Sequence, residues 1–134
     1  MRNLRTRLAR IAKSAAVPWT VEEHSIKVEL WEGGRQQRVE FGGQEGDIRL
    51  SSIVSRSADV TRTNQHWRDL ACRIWHRNAT TQLVGFAFDD HDCLVGFVEH
   101  EGKALSDADL RLYVDSVARE CDHLEYLLSG EDRE

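Results

Sequence analysis

The sequence predicts a single α+β domain, spanning residues 1–134, with the element order α-β-β-β-α-β-β-α and a mainly antiparallel five-stranded sheet packed by helices. Two observations predict this fold. Apolar residues recur at helical spacing in three stretches, and between these stretches they form alternating or continuous strand-like runs. Short turns rich in Gly or Asp join consecutive strand-like runs, which favours antiparallel neighbours.

The composition, 40% hydrophobic and 31% charged, is that of a soluble globular domain. No apolar run approaches the roughly 20 residues of a membrane span, so we expect no stable membrane insertion. The net charge is −5, which disfavours general nucleic-acid binding because phosphate affinity comes mostly from basic side chains. An odd number of cysteines (Cys72, Cys93 and Cys121) and no apolar signal segment predict a cytoplasmic location.

The first element is a predicted amphipathic helix with Leu4, Leu8 and Ile11 on one side, ended by Pro18. Residues 1–13 carry five basic residues and no acidic one. One interpretation is a solvated basic face over a buried apolar stripe. The other is a contact with nucleic acid or a membrane surface through the basic side chains.

A meander of three strands follows. Residues 26–31 alternate between apolar and other side chains, and Gly33-Gly34 suits a two-residue turn. Folding about that turn predicts the pairs Glu29–Arg38, Lys27–Glu40 and Val28–Val39. A second turn at residues 42–46 returns the chain and places Phe41 near Ile48.

The second half repeats the helix and strand signals. Trp67, Leu70, Ile74 and Trp75 give one apolar face to a helix over about Thr63–Arg77. Strands Gln82–Phe88 and Cys93–Glu99 follow, and a turn at Asp90-His91 would pair Gly85 with Gly96 and leave a notch that a helix could approach closely. Ser106 caps the last helix, which stops at Gly130.

No motif of catalysis or metal binding is present. The fragments Cys72-x-x-x-His76, His91-Asp92-Cys93 and Cys121-Asp122-His123 lack the four ligands of a closed zinc site. The acidic residues Asp89, Asp90 and Asp92 suit a turn and lack the spacing of a calcium loop. Nothing matches a nucleophile elbow or a phosphate-binding loop. We therefore expect no enzyme activity, no metal and no cofactor.

Tryptophans are the candidate partner-binding residues. Trp31 falls on the strand face opposite Ile26, Val28 and Leu30, beside charged residues, where an exposed indole could anchor a partner or pack under a helix or a second subunit. Trp67 and Trp75 lie on the apolar face of their predicted helix and suit the core or a dimer contact.

Three segments carry a resemblance to a known group of proteins. They are RQQRVEF (residues 35–41), DIRLSSIVSR (47–56) and LSDADLRLYVDSVARECDHLEYLLSGED (105–132). With the predicted element order, they make the chain resemble the superfamily of type III secretion chaperones and YbjN-like proteins over nearly its whole length. The resemblance implies a non-catalytic module that binds an extended segment of a client protein, without a cofactor, and forms a homodimer. The alternative is a regulatory module that contacts nucleic acid or a membrane surface through its basic first helix.

Overall fold

A computed structural model describes residues 2–30, 35–43, 47–55, 83–91, 93–101 and 105–129. Its elements are α1 (Arg2–Ser14), β1 (Trp19–Val21), β2 (Ser25–Leu30), β3 (Arg35–Gly42), β4 (Asp47–Ser55), β5 (Gly85–Phe88), β6 (Leu94–Glu101) and α2 (Asp107–Ser129). The strands form one sheet in the order β1-β2-β3-β4-β6-β5, and every neighbouring pair is antiparallel. The predicted helix over residues 63–77 lies outside the described residues. Among those described, no helix has both the length and the apolar character needed to cross a membrane.

The sheet has six strands, so the prediction of five was wrong. The additional strand β1 is three residues long and pairs with β2, with Thr20 opposite Lys27. A run this short contains too few residues for an alternating pattern to be recognised. The first helix ends at Ser14, and Ala16 then adopts a left-handed conformation (φ 54°) before Pro18 leads into β1.

One sheet face, here called the covered face, carries the core. Alternate residues of the strands point to this face and pack against α1 and α2. Its fully buried members include Ile26, Val39, Leu50 and Leu94, and the helices contribute Leu8, Leu110, Val114, Val117 and Leu124. The apolar stripe of α1 is therefore part of the core, as the first interpretation of that helix predicted.

The helix α2 crosses the sheet at Gly96. A Cβ atom on Gly96 would lie 2.4 Å from Sγ of Cys121 and 2.9 Å from Cε1 of Phe86. Glycine is therefore the residue that permits this approach. The predicted notch was wrong as a pair of glycines, because Gly85 lies opposite Phe97 and only Gly96 faces α2. Burial raises the pKa of the Cys121 thiol to about 12, so this sulfur packs as a neutral group.

An acidic residue at the start of α2 ties the two helices together. Asp107 accepts from Nε of Arg7 at 2.6 Å and from Nη2 of Arg10 at 3.1 Å, and Arg7 also donates to the carbonyl of Leu105. Ser106 Oγ accepts from the backbone N–H of Asp109 at 3.1 Å, which confirms the predicted cap. Two of the five basic residues in the first 13 therefore stabilise the packing of α1 on α2.

The predicted register of β2 and β3 was wrong by two residues. Leu30 pairs with Arg35, and Lys27 lies opposite Arg38, with four residues between the strands. A shift of two keeps every side chain on its face, so core packing does not distinguish the two registers. In the observed register Glu22 bridges the facing cations, 2.5 Å from Nη1 of Arg38 and 3.6 Å from Nζ of Lys27.

The other two hairpins also differ from their predicted registers. Phe41 pairs with Leu50 rather than Ile48. Gly85 pairs with Phe97, and Gly96 with Phe86, one residue from the prediction. This last shift has a local cause, because Asp89 Oδ1 accepts from the backbone N–H groups of residues 91 and 93 and closes a three-residue loop.

The approach of α2 to Gly96 gives the first testable prediction. Gly96→Ala should lower the free energy of unfolding by about 1–3 kcal/mol, because the added methyl meets buried atoms. Gly42→Ala is the matched control, since nothing lies within 4 Å of its Cβ position, and it should change little. In denaturant titrations, Gly96→Ala with Cys121→Ala should lose less than the sum of the single variants. An additive result would place the cost elsewhere.

The ion pairs of Asp107 give a prediction about pH. Hydrogen bonds from Arg7 and then Arg10 hold the pKa of Asp107 below its ordinary value of 3.8. This carboxylate therefore adds stability above about pH 4, and the contribution is lost as pH falls through the lowered pKa. Asp107→Asn should reduce the melting temperature at pH 7, and the difference from wild type should shrink progressively as the pH falls below about 4.

Asp109→Asn is the control for this experiment, because Asp109 shares the first turn of α2 but has no ion pair among the described residues. Equal melting temperatures for the two variants from pH 2 to pH 7 would show that the Arg7 and Arg10 contacts contribute nothing beyond the helix dipole.

Candidate functional site

A groove of about 920 Å³ lies between α2 and the end of the sheet where β2 stops and β3 begins. The chain entering β1 and the ends of β2 and β3 form one side, and α2 forms the other. The residues lining it are Val17, Pro18, Val28, Glu29, Leu30, Arg35, Arg111, Asp115, Arg119, Asp122, His123 and Tyr126.

The sheet side of the groove is mainly apolar. Val28 is almost fully buried, and Val17 and Leu30 are half-buried and pack against the core. Val28 and Leu30 lie two residues apart on one strand, so both point to the covered face. An apolar side chain of a ligand could therefore be buried here.

The helical side of the groove is charged. Arg111, Asp115, Arg119, Asp122 and Tyr126 follow one another at intervals of four, four, three and four residues, the spacing of a single helix face. The residues of the buried stripe of α2 precede these groove residues by about one position in the sequence. The same helix thus places one face in the core and the next face in the groove.

Two carboxylates of this wall already have partners. Asp122 lies 2.9 Å from Nη2 of Arg35, whose guanidinium stands 5.8 Å from the ring centre of Tyr126. Asp115 Oδ1 accepts from the indole Nε1–H of Trp19 at 3.1 Å. These contacts join β1 and β3 to α2 and hold the groove walls in place.

The two arginines of α2, unlike these carboxylates, have no side-chain partner among the described residues. Arg111 and Arg119 are exposed, and neither has an ion pair or hydrogen-bonded side-chain partner within the described part of the chain. They are available to a ligand that carries negative charge.

A sheet edge lies next to the groove. The backbone N–H of Glu22 donates to the carbonyl of Ser25, and the backbone N–H of Glu29 donates to the carbonyl of Pro18. The even-numbered residues of β1 therefore bond to β2. Trp19 and Val21 therefore direct their backbone groups away from β2. The N–H of Trp19 bonds to the carbonyl of Val17, whereas the Trp19 carbonyl and both Val21 groups have no partner among the described residues.

The other edge of the sheet is β5. The backbone N–H of Asp89 donates to the carbonyl of Cys93, so in β5 the odd-numbered residues bond to β6. Phe86 and Phe88 therefore direct their backbone groups away from β6. Both residues make further interactions. Within the described ranges, the edge that has unpartnered backbone groups and lies next to a groove is therefore β1.

The three tryptophans predicted from the sequence, Trp31, Trp67 and Trp75, lie outside the described residues. Their proposed roles remain predictions. The structure instead identifies Trp19, which the sequence analysis did not single out, as the tryptophan that joins β1 to α2. A second stripe at helical spacing on α2, carrying Arg111 and Arg119, was a signal in the sequence that could have indicated the groove.

No metal centre is present among the described residues, where no three His, Cys, Asp or Glu side chains cluster suitably. Of the cysteine and histidine fragments that the sequence analysis weighed and rejected as zinc ligands, Cys121 points into the core. Cys72 and His76 lie outside the described residues.

Solved structures with the same architecture come from type III secretion systems and from YbjN. The chain aligns with the ExoU–SpcU complex of Pseudomonas aeruginosa at 15% identity and TM-score 0.59, over 91% of this chain and 97% of that one. It aligns with the Yersinia pestis type III secretion chaperone SycH, bound to a fragment of YscM2, at 14% identity and TM-score 0.51, over 84% of this chain and 92% of that one. It aligns with YbjN from E. coli, proposed to be a transcription regulator, at 13% identity and TM-score 0.58, over 94% of this chain and 90% of that one.

The chain therefore has the fold that type III secretion chaperones share with YbjN, as the resemblance in the sequence predicted. No protein-family model matches the chain. No curated protein sequence is significantly similar to it either.

Proposed function

We propose that this protein is a non-catalytic, chaperone-like module that holds an extended segment of a client protein. The observation that carries the proposal is the position of an available sheet edge, β1, beside a groove with an apolar floor. The structures of SycH with a fragment of YscM2 and of ExoU with SpcU support it, since in each a protein of this fold is in complex with another protein.

Binding would combine two kinds of contact. A client strand alongside β1 would hydrogen-bond to the Trp19 carbonyl and to Val21, which gives affinity without dependence on sequence. Some of its apolar side chains would enter the groove over Val28 and Leu30. Main-chain pairing and side-chain burial together suit a segment that is unfolded before it binds.

The chemistry of the groove supports a binding role rather than catalysis. Asp122 is held by Arg35 and Asp115 by Trp19, so neither carboxylate is placed against a nucleophile. The Cys121 thiol is buried, and its raised pKa keeps it protonated at neutral pH. We accordingly propose that the protein turns over no substrate and requires no cofactor.

Oligomeric state and location form part of the proposal. We propose a cytoplasmic homodimer in which Trp67 and Trp75 serve the core or the dimer contact, and Trp31 anchors the client. Trp31 directly follows Leu30, a residue of the groove. A two-fold interface is self-complementary, so one apolar patch on each chain is sufficient.

The alternative function, contact with nucleic acid or a membrane through the basic first helix, is not favoured. Leu4, Leu8 and Ile11 are buried in the core, so the apolar stripe is unavailable to a membrane. Arg7 and Arg10 are held by Asp107.

The proposal predicts binding to an unfolded protein. Light scattering after size-exclusion chromatography should give twice the mass of the 15.4 kDa chain. Fluorescence anisotropy should show saturable binding to labelled α-lactalbumin that has been reduced and carboxymethylated, weak binding to the folded calcium form, and little loss of affinity at high salt. Trp31→Ala should weaken this binding about tenfold and leave the melting temperature nearly unchanged.

Leu112→Ala is the matched control, because Leu112 is a large apolar residue on α2 that is 50% exposed and lies outside the groove. It should bind like wild type. A strict monomer with no affinity for the unfolded protein would contradict the proposal, and salt-sensitive binding to DNA or anionic vesicles would favour the alternative.

A further inference from the structure

The distribution of charge on α2 points to the kind of segment that the groove accepts. This helix has six acidic residues and two basic ones, Arg111 and Arg119. Both basic residues line the groove. In an acidic protein, the exposed positive charge of this helix is thus concentrated at the candidate site.

The acidic residues of the groove do not neutralise these arginines. Asp122 is paired with Arg35 across the groove. Asp115 lies four residues from each arginine, yet its Oδ1 is turned to the Trp19 indole and forms no ion pair with either. Within the described chain, the groove therefore has two guanidinium groups without an ion-pair partner and one such carboxylate, that of the exposed Glu29.

The spacing of the arginines matches that of an extended chain. Eight residues of α-helix span about 12 Å. Residues i and i+4 of an extended peptide are about 13 Å apart and share one face with residue i+2. A peptide lying along α2 could therefore place side chains i and i+4 at Arg111 and Arg119, and side chain i+2 over the apolar floor at Val28 and Leu30.

We propose, on the basis of the peptide-binding function above, that the groove selects extended segments with an apolar residue flanked at two residues on either side by carboxylates. The apolar side chain is buried between the sheet and α2. The two carboxylates accept charge-assisted hydrogen bonds from Arg111 and Arg119. Both pairs are exposed, so they set the preference among segments and remain sensitive to salt.

Three labelled nonapeptides with acetylated and amidated ends test this preference by fluorescence anisotropy. STETVTETS carries the proposed pattern, STQTVTQTS removes the charge, and STETVETTS keeps the composition but moves one glutamate to the opposite face of the extended chain. The first should bind about fivefold more tightly than the second at 50 mM salt, with the third in between. The difference should narrow at 0.5 M salt.

Variants connect the preference to the two arginines. Arg111→Gln with Arg119→Gln should remove the difference between the glutamate and glutamine peptides and leave the melting temperature unchanged. Arg5→Gln, an exposed arginine of α1 outside the groove, should leave the difference intact.

The possible results separate this inference from the function on which it rests. Equal binding of the glutamate and glutamine peptides, or failure of all three peptides while the unfolded α-lactalbumin still binds, overturns the proposed preference alone. A preference that survives in the double arginine variant also overturns it. Loss of binding to the peptides and to the unfolded protein together contradicts the proposed function itself.

Discussion

The close packing of α2 on the sheet at Gly96 is the contact on which the other features depend. With no side chain at Gly96, Cys121 lies against the sheet and the helix buries one face over β3, β4 and β6. The adjacent face of α2 then meets Trp19 and Arg35, which closes the groove at the end of β2. The start of the same helix holds α1 through Asp107. A helix displaced by the width of one methyl group would disturb core, groove and helix contact together.

The features of the fold that could be predicted are those set by local chemistry or by a strong period. The core stripe of α2, its Ser106 cap and the antiparallel meander were all visible in the sequence. Strand registers were not, because cross-strand pairs are worth only about 0.2–1 kcal/mol each and a shift of two residues preserves the faces. The observed register depends on tertiary contacts instead. Gln37, for example, is buried and donates to Ser52 Oγ at 2.7 Å, although nothing in its type indicated an inward position.

Less of the candidate site could be predicted. The sequence pattern indicated Trp31, Trp67 and Trp75, none of which lies among the described residues. The groove is instead lined by Arg35 and the charged stripe of α2, and Trp19 holds Asp115 of that stripe. Charged residues at helical spacing usually indicate a solvated face. Their role here depends on the chain between α1 and β1 lying across from them, which is a long-range arrangement. The availability of the β1 edge likewise follows from the hydrogen-bond alternation with β2, and β1 itself was too short to recognise.

Amide hydrogen exchange at Val21, with and without reduced, carboxymethylated α-lactalbumin, tests most directly whether an extended segment binds along β1. The backbone N–H of Val21 points away from β2, while that of Thr20 points toward it and serves as the internal reference. The account predicts that exchange at Val21 slows markedly in the complex and that exchange at Thr20 changes little. Unchanged exchange at Val21, with protection appearing instead along β5, would contradict it.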